Sequence, residues 1–168
     1  MTFRLLLLAA AALAAGAHAA ELPPLLIPVD GVRAEELRDT FGDGRIGRRH
    51  EAIDIAAARG TRVVAVADGV VVKLFRSVPG GITVYQFDSA RRLAFYYAHL
   101  DRYADGLREG MALRRGDLIG YVGSTGNATA AAPHLHFAVF ALGPDKKWWK
   151  GEAIDPFAAL GGVAAQKP

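Results

Sequence analysis

The chain contains no cysteine. Disulfides, the usual device of small exported proteins, therefore cannot stabilise it. Extra stability must come from the hydrophobic core or from a bound metal. Net charge is small, +3 over 168 residues. No basic stretch is interleaved with aromatics in the manner of a nucleic-acid-binding surface, so nucleic acid is not an expected partner. No apolar run reaches the roughly 20 residues that a membrane-spanning helix needs. A long helical period and internal repeats are also missing.

The N-terminus reads instead as an export signal. Arg4 is a positive start, Leu5 to Ala15 is a short apolar run, and Ala17-His18-Ala19 is a small-x-small cleavage site. Residues 1–19 are thus expected to be a signal peptide, leaving no stable membrane insertion and a periplasmic or secreted protein. Cleavage removes one basic residue, Arg4, and no acidic one, so the mature chain stays mildly basic. That charge suits an anionic polymer outside the cell. The remaining length fits one domain with a core of its own.

Residues 20–40 hold three prolines and then GVRAEELRD, which predicts an extended surface run followed by a turn or two of helix. The glycine- and arginine-rich stretch 42–49 predicts a loop. Beyond it the pattern is β. Thr61–Ala67, Val70–Phe75, Ile82–Phe87, Leu93–Leu100, Leu118–Val122 and His134–Phe140 are short apolar or alternating runs separated by glycine turns. Asp68-Gly69 between the first two predicts a tight hairpin. The fold class expected is all-β, a twisted antiparallel sheet or sandwich. The small-residue run 123–133 predicts a long loop, and residues 158–168 predict a flexible tail.

Five histidines are present, and His18 leaves with the signal. The other four, His50, His99, His134 and His136, all fall at strand edges or loop–strand junctions. In His134-Leu135-His136 both imidazoles face one side of a strand while Leu135 points to the core. In His50-Glu51-Ala52-Ile53-Asp54, an extended chain puts His50 and Asp54 on one face, with small Ala52 between them. Imidazole and carboxylate suit Zn2+. His50, Asp54 and one histidine of the His134/His136 pair would make three ligands and leave a fourth position open for water, as in catalytic zinc sites. The two remaining histidines are free for proton transfer and for charge on a developing oxyanion.

HEAID, YYAHL, the GSTGN loop and PHLHF, in that order over residues 41–157, resemble the M23 metallopeptidases of the lysostaphin/LytM type. The resemblance implies the LytM fold, a duplicated hybrid motif-like sheet with long loops around a groove. It implies zinc ligands His50, Asp54 and His136, a general base at His134, and an oxyanion-stabilising His99. It further implies a zinc endopeptidase acting on the peptide stems of bacterial peptidoglycan, with a zinc-bound water as nucleophile. Ala52 stands where the family usually has glycine.

Other readings of the same residues remain. A non-catalytic LytM-type regulator that activates a cell-wall amidase would keep the fold and lose zinc ligands. A closed structural metal site would need a fourth protein ligand. The arginines of residues 45–49 are either a solvated loop or a lure for the carboxylates of a peptide stem. Trp148 and Trp149 are either edge packing or a platform near the cleft.

Overall fold

A computed structural model describes residues 22–45 and 47–162. The expected signal peptide and the last residues of the expected tail lie outside that range. Eleven strands are formed: β1 (Gly44–Arg45), β2 (Arg48–Arg49), β3 (Ile53–Ala56), β4 (Arg62–Val64), β5 (Gly69–Ser77), β6 (Gly81–Asp88), β7 (Leu93–Tyr103), β8 (Ala112–Leu113), β9 (Leu118–Val122), β10 (His134–Leu142) and β11 (Gly151–Ile154). Among the described residues helix is confined to two single 3-10 turns, Ala34–Glu36 and Ala158–Leu160. No helix among the described residues is long and apolar enough to cross a membrane. The all-β, antiparallel expectation holds.

One nine-stranded antiparallel sheet carries the fold, ordered β11-β10-β7-β6-β5-β8, with β3 beside β10, β9 beside β7 and β4 beside β9. Strand β7 is the hinge of this arrangement. Its first part lies between β6 and β10, and its last part, Leu100–Tyr103, pairs with β9 instead. Apolar side chains on the inward face fill the core: Ile53 and Ile55 from β3, Val63 from β4, Phe95 and Tyr97 from β7, Ile119 from β9, Leu135 and Phe137 from β10. On β3, β7 and β10 these residues recur at a spacing of two, as the pleat requires.

The hairpin expected at Asp68-Gly69 is not there. Strand β4 pairs with β9, while β5 pairs with β6 and β8. Gly69 does not take a positive φ; it is needed because a Cβ there would lie 2.0 Å from the Phe87 carbonyl oxygen. The Asp-Gly signal therefore marked a close backbone approach rather than a turn. The Asp68 carboxylate is spent on the backbone N–H of Arg115.

Three further expectations shift. The proline-rich run is not merely superficial: Leu25 and Val29 are buried, and the run bonds to the chain around β4 through Leu26 N–H to the Val66 carbonyl and Val64 N–H to the Pro28 carbonyl. The 42–49 loop contains a two-stranded ribbon, β1 with β2. Residues 158–160 are not loose, because Leu160 is buried and the Ala159 carbonyl accepts from Leu25 N–H.

Inside the core one polar group is fully paired. The Tyr97 hydroxyl donates to Gln86 Oε1 at 2.8 Å and accepts from Val66 N–H at 3.1 Å, and Gln86 Nε2 donates to the Ala67 carbonyl. Tyr97→Phe leaves a buried acceptor and a buried donor without partners, at a cost of about 1–3 kcal/mol for little change in volume. Urea unfolding should show that loss with the slope unchanged. An unmoved midpoint would mean that these groups re-pair.

Candidate metal and catalytic site

The site is assembled by strand register. Strand β10 pairs with β3 so that His136 faces Asp54, and His134 faces Ala56. Directly opposed residues share a face, so Asp54, His134 and His136 all project outward while Ile53, Ile55, Leu135 and Phe137 point into the core. His50 comes from the turn before β3 and is almost fully buried. Its N–H donates to the Asp43 carbonyl, and its own carbonyl accepts from Gly42 N–H.

Three ligand atoms converge. His136 Nδ1 is 3.0 Å from Asp54 Oδ1 and 3.1 Å from His50 Nε2, and His50 Nε2 is 3.2 Å from Asp54 Oδ1. Tetrahedral zinc with bonds near 2.0–2.1 Å separates its ligand atoms by about 3.3 Å, so the triangle is close to the size a zinc ion needs. The set is two imidazoles and a carboxylate with no fourth protein ligand among the described residues, the make-up of an open site.

Backbone carbonyls set the tautomers. His50 Nδ1 lies 2.9 Å from the Thr40 carbonyl, His99 Nδ1 2.8 Å from the Thr125 carbonyl, and His134 Nδ1 2.9 Å from the Ala132 carbonyl. A carbonyl only accepts, so each Nδ1 carries the proton, and in the neutral ring each Nε2 keeps its lone pair. Burial pushes the His50 pKa down, against the Thr40 hydrogen bond and the Asp54 charge, which keeps it in the neutral, ligating form. Burial likewise lowers His99, against the Thr125 hydrogen bond. For Asp54, burial opposes ionisation, yet the hydrogen bond from His136 and the nearby imidazoles outweigh it and hold the carboxyl at about 2.

His99 and His134 form the opposite wall. Their rings are 5.0 Å apart, His99 is 5.6 Å from the His136 ring, and His134 Nε2 is 3.8 Å from Asp54 Oδ1. His99 has a left-handed backbone, φ +60°, where β7 bulges against β6. Such a conformation is uncommon for a residue with a Cβ and needs support. Thr125 supplies it: its hydroxyl donates to the Leu100 carbonyl, its Oγ1 accepts from Ile82 N–H, and its carbonyl takes the His99 ring. The glycines make this approach feasible, since a Cβ on Gly126 would sit 2.4 Å from Gly81 N.

All five residues expected from the sequence thus line one cleft of about 340 Å³. Sequence reasoning missed the residues that aim them. Thr40 holds His50 by its carbonyl and caps Asp54 N–H with its hydroxyl at 3.0 Å. Arg45, on β1, donates to Asp54 Oδ2 at 2.7 Å, leaving Oδ1 for the triangle. Nothing in the spacing of Thr40 or Arg45 signals a ligand partner; the contact arises only when the β1–β2 ribbon folds over the site. Ala52 is completely buried. The proline-rich run contributes no residue to the cleft lining.

Residues 48–156 match the model of Peptidase family M23. The chain belongs to that family. It is 32% identical over 154 residues to the L-Ala--D-Glu endopeptidase of Bacillus subtilis (strain 168), covering 86% of this chain and 43% of that protein. The chain therefore spans less than half the length of this curated relative. Among solved structures it is similar to the catalytic domain of the antimicrobial peptidase lysostaphin from Staphylococcus simulans, with a TM-score of 0.61, 28% identity, and coverage of 75% of this chain and 90% of that one. It is also similar to a zinc containing peptidase from Vibrio cholerae, with a TM-score of 0.59, 25% identity, and coverage of 84% and 39%. An M23 chain with a His/Asp/His triangle of this size fits zinc.

Arg45 provides a test of how Asp54 is held. Arg45→Ala should weaken zinc binding by about tenfold or more, the usual effect of removing a group that orients a ligand. Arg45→Lys, which keeps charge but not the planar fork, should fall between. Competition against a chromophoric chelator measures both. Equal affinity in Arg45→Ala and the parent would show that Asp54 needs no such support.

Proposed function

We propose that the protein is a zinc-dependent endopeptidase that hydrolyses peptide cross-links of bacterial peptidoglycan, acting outside the cytoplasmic membrane. The observation that carries this reading is the open His50/Asp54/His136 triangle with two further imidazoles facing it across one cleft. The relatives support the substrate class: one is named an L-Ala--D-Glu endopeptidase, and lysostaphin is named an antimicrobial peptidase.

His50, Asp54 and His136 would hold the zinc, which when bound polarises a carbonyl and lowers the pKa of a water to about 7. His134 is the general base. Its Nδ1 proton is committed to Ala132, so its Nε2 lone pair faces the cleft and can take a proton from the attacking water. The same nitrogen then returns that proton to the leaving amine. His99 stands where negative charge grows on the substrate carbonyl oxygen. To donate from Nε2 it must hold a second proton, and the growing charge favours that protonated form as the reaction proceeds. The bulged backbone and Thr125 keep the ring in place before substrate arrives. The alternative, a non-catalytic regulator that activates an amidase, calls for a lost ligand or base, and all five residues are present here.

Digestion of purified sacculi, followed by chromatography of the released muropeptides, tests the reading. Cross-linked dimers should disappear with the zinc-loaded protein and persist in the presence of a chelator. His136→Ala should lose both zinc and cleavage. His134→Ala should keep zinc and lower turnover by about 100-fold or more. Intact dimers after treatment with zinc-loaded parent protein would favour the regulatory alternative.

A further inference from the structure

The outward face of the sheet carries more than the metal triangle. Strand register places Lys73, Tyr85, Tyr96 and Ala138 in one row across β5, β6, β7 and β10. Opposed residues share a face, and His136 lies two residues before Ala138 on the same strand. The aromatic row and the metal row are therefore neighbours on one surface, about 6.6–6.8 Å apart along the strands. Tyr96 joins them physically: its ring meets the His136 ring edge-on at 6.0 Å and lines the same cleft.

From Tyr96 the rings continue without a break. Tyr85 is 4.6 Å from Tyr96, Trp148 is 4.9 Å from Tyr85, and Trp149 and Phe75 lie 5.3 Å and 5.4 Å from Trp148. A row of this kind in a core would be closed over. Here Phe75 and Trp149 are 39% and 61% exposed, and Tyr85, Tyr96 and Trp148 are half-buried. Exposed contiguous aromatics on a small protein mark a binding surface more often than a fault in packing. On the other side of Tyr96, Ala138 and the edge of Phe140 extend the same surface past the metal ligands.

Two features select the occupant. Flat rings with wet edges suit pyranose rings, which offer a C–H face to stack and hydroxyls that stay in water; Tyr and Trp are the side chains with that split character. Basic groups flank the tryptophans, at Lys146, Lys147 and Lys150, with Lys147 5.5 Å above the Trp149 ring. Such charges would attract a polymer whose sugar chain carries acidic peptide stems, although Lys147 also lies 3.9 Å from Asp145. We propose that the row Tyr96–Tyr85–Trp148–Trp149 seats the glycan strand of the wall polymer, and so positions the attached stem peptide across the metal triangle. This inference rests on the peptidoglycan reading above and assigns the sugar chain a seat of its own.

The probe is a β-1,4-linked oligomer of N-acetylglucosamine with no peptide, titrated into the full chain and read by tryptophan fluorescence. Saturable binding is expected. Trp148→Ala and Tyr85→Ala should each weaken it by about tenfold, the effect of losing one stacked ring. Asp54→Asn should bind the sugar like the parent. Trp149→Ala changes an exposed side chain, so its loss of binding cannot be blamed on misfolding; unfolding curves control for the other two. Absence of saturable binding, or binding by Trp148→Ala and Trp149→Ala as tight as that of the parent, would overturn the proposal, as would a free stem peptide producing the same fluorescence change. Cleavage of peptide-only cross-linked stems is measured separately. A protein that cleaves them but ignores the sugar sinks this inference alone, and one that binds the sugar but never cleaves sinks the peptidase reading.

Discussion

The pairing of β3 with β10 in a single register is the constraint on which the site depends. His136 can meet Asp54 only because these two residues are directly opposed. A slip of one residue would turn His134 and His136 into the core and bring Leu135 to the surface. Four fully or almost fully buried side chains forbid it: Ile53 and Ile55 on β3, Leu135 and Phe137 on β10. The hydrophobic core is thus what holds the ligand geometry. Without a metal His136 Nδ1 donates to Asp54 Oδ1, and that proton must leave when the nitrogen becomes a ligand. A chain without cysteine has reason to join core and site in this way.

The rest of the cleft is built on support from carbonyls and hydroxyls rather than on the sheet alone. Three histidines each give a ring nitrogen to a main-chain carbonyl, of Thr40, Thr125 and Ala132. Two of those carbonyls belong to threonines whose hydroxyls also bind the chain that carries the supported residue: Thr40 bonds Asp54 N–H, and Thr125 bonds the Leu100 carbonyl next to His99. Each threonine thereby fixes a loop to a strand and a ring to a tautomer with the same few atoms. The left-handed backbone at His99 is tolerable within this frame, and it lifts the ring out of the pleat toward His134.

How much of this was legible depended on whether the signal was local. The alternation in HLHF gave the face of both imidazoles. Six of the strands fell near their expected places because their apolar runs are their own evidence. Asp68-Gly69 misled because glycine has two uses, turning and close approach, and only the position of Phe87 tells them apart. The supporting contacts of Thr40, Arg45 and Thr125 were hidden for a different reason. Their partners lie 9 to 43 residues away, reached only through folding. The proline-rich run was misjudged because proline removes donors but not carbonyls, and Pro28 still accepts from β4.

The outward face of the sheet then poses a question that the metal site alone does not answer. Holding a metal ion takes only the three side chains of the triangle, and the four further aromatic rings running away from it add no ligand. The exposed rings cost solubility and offer no catalytic group, so their placement must be weighed against what they exclude or hold. Register again sets the terms. Because Tyr85 and Tyr96 oppose each other on β6 and β7, and Tyr96 opposes Ala138 on β10, the aromatic row is as firmly tied to the metal row as the ligands are to one another. Whatever stacks on those rings is delivered to the triangle at a fixed distance. A polymer whose backbone is sugar and whose cross-link is peptide meets that geometry with both of its parts.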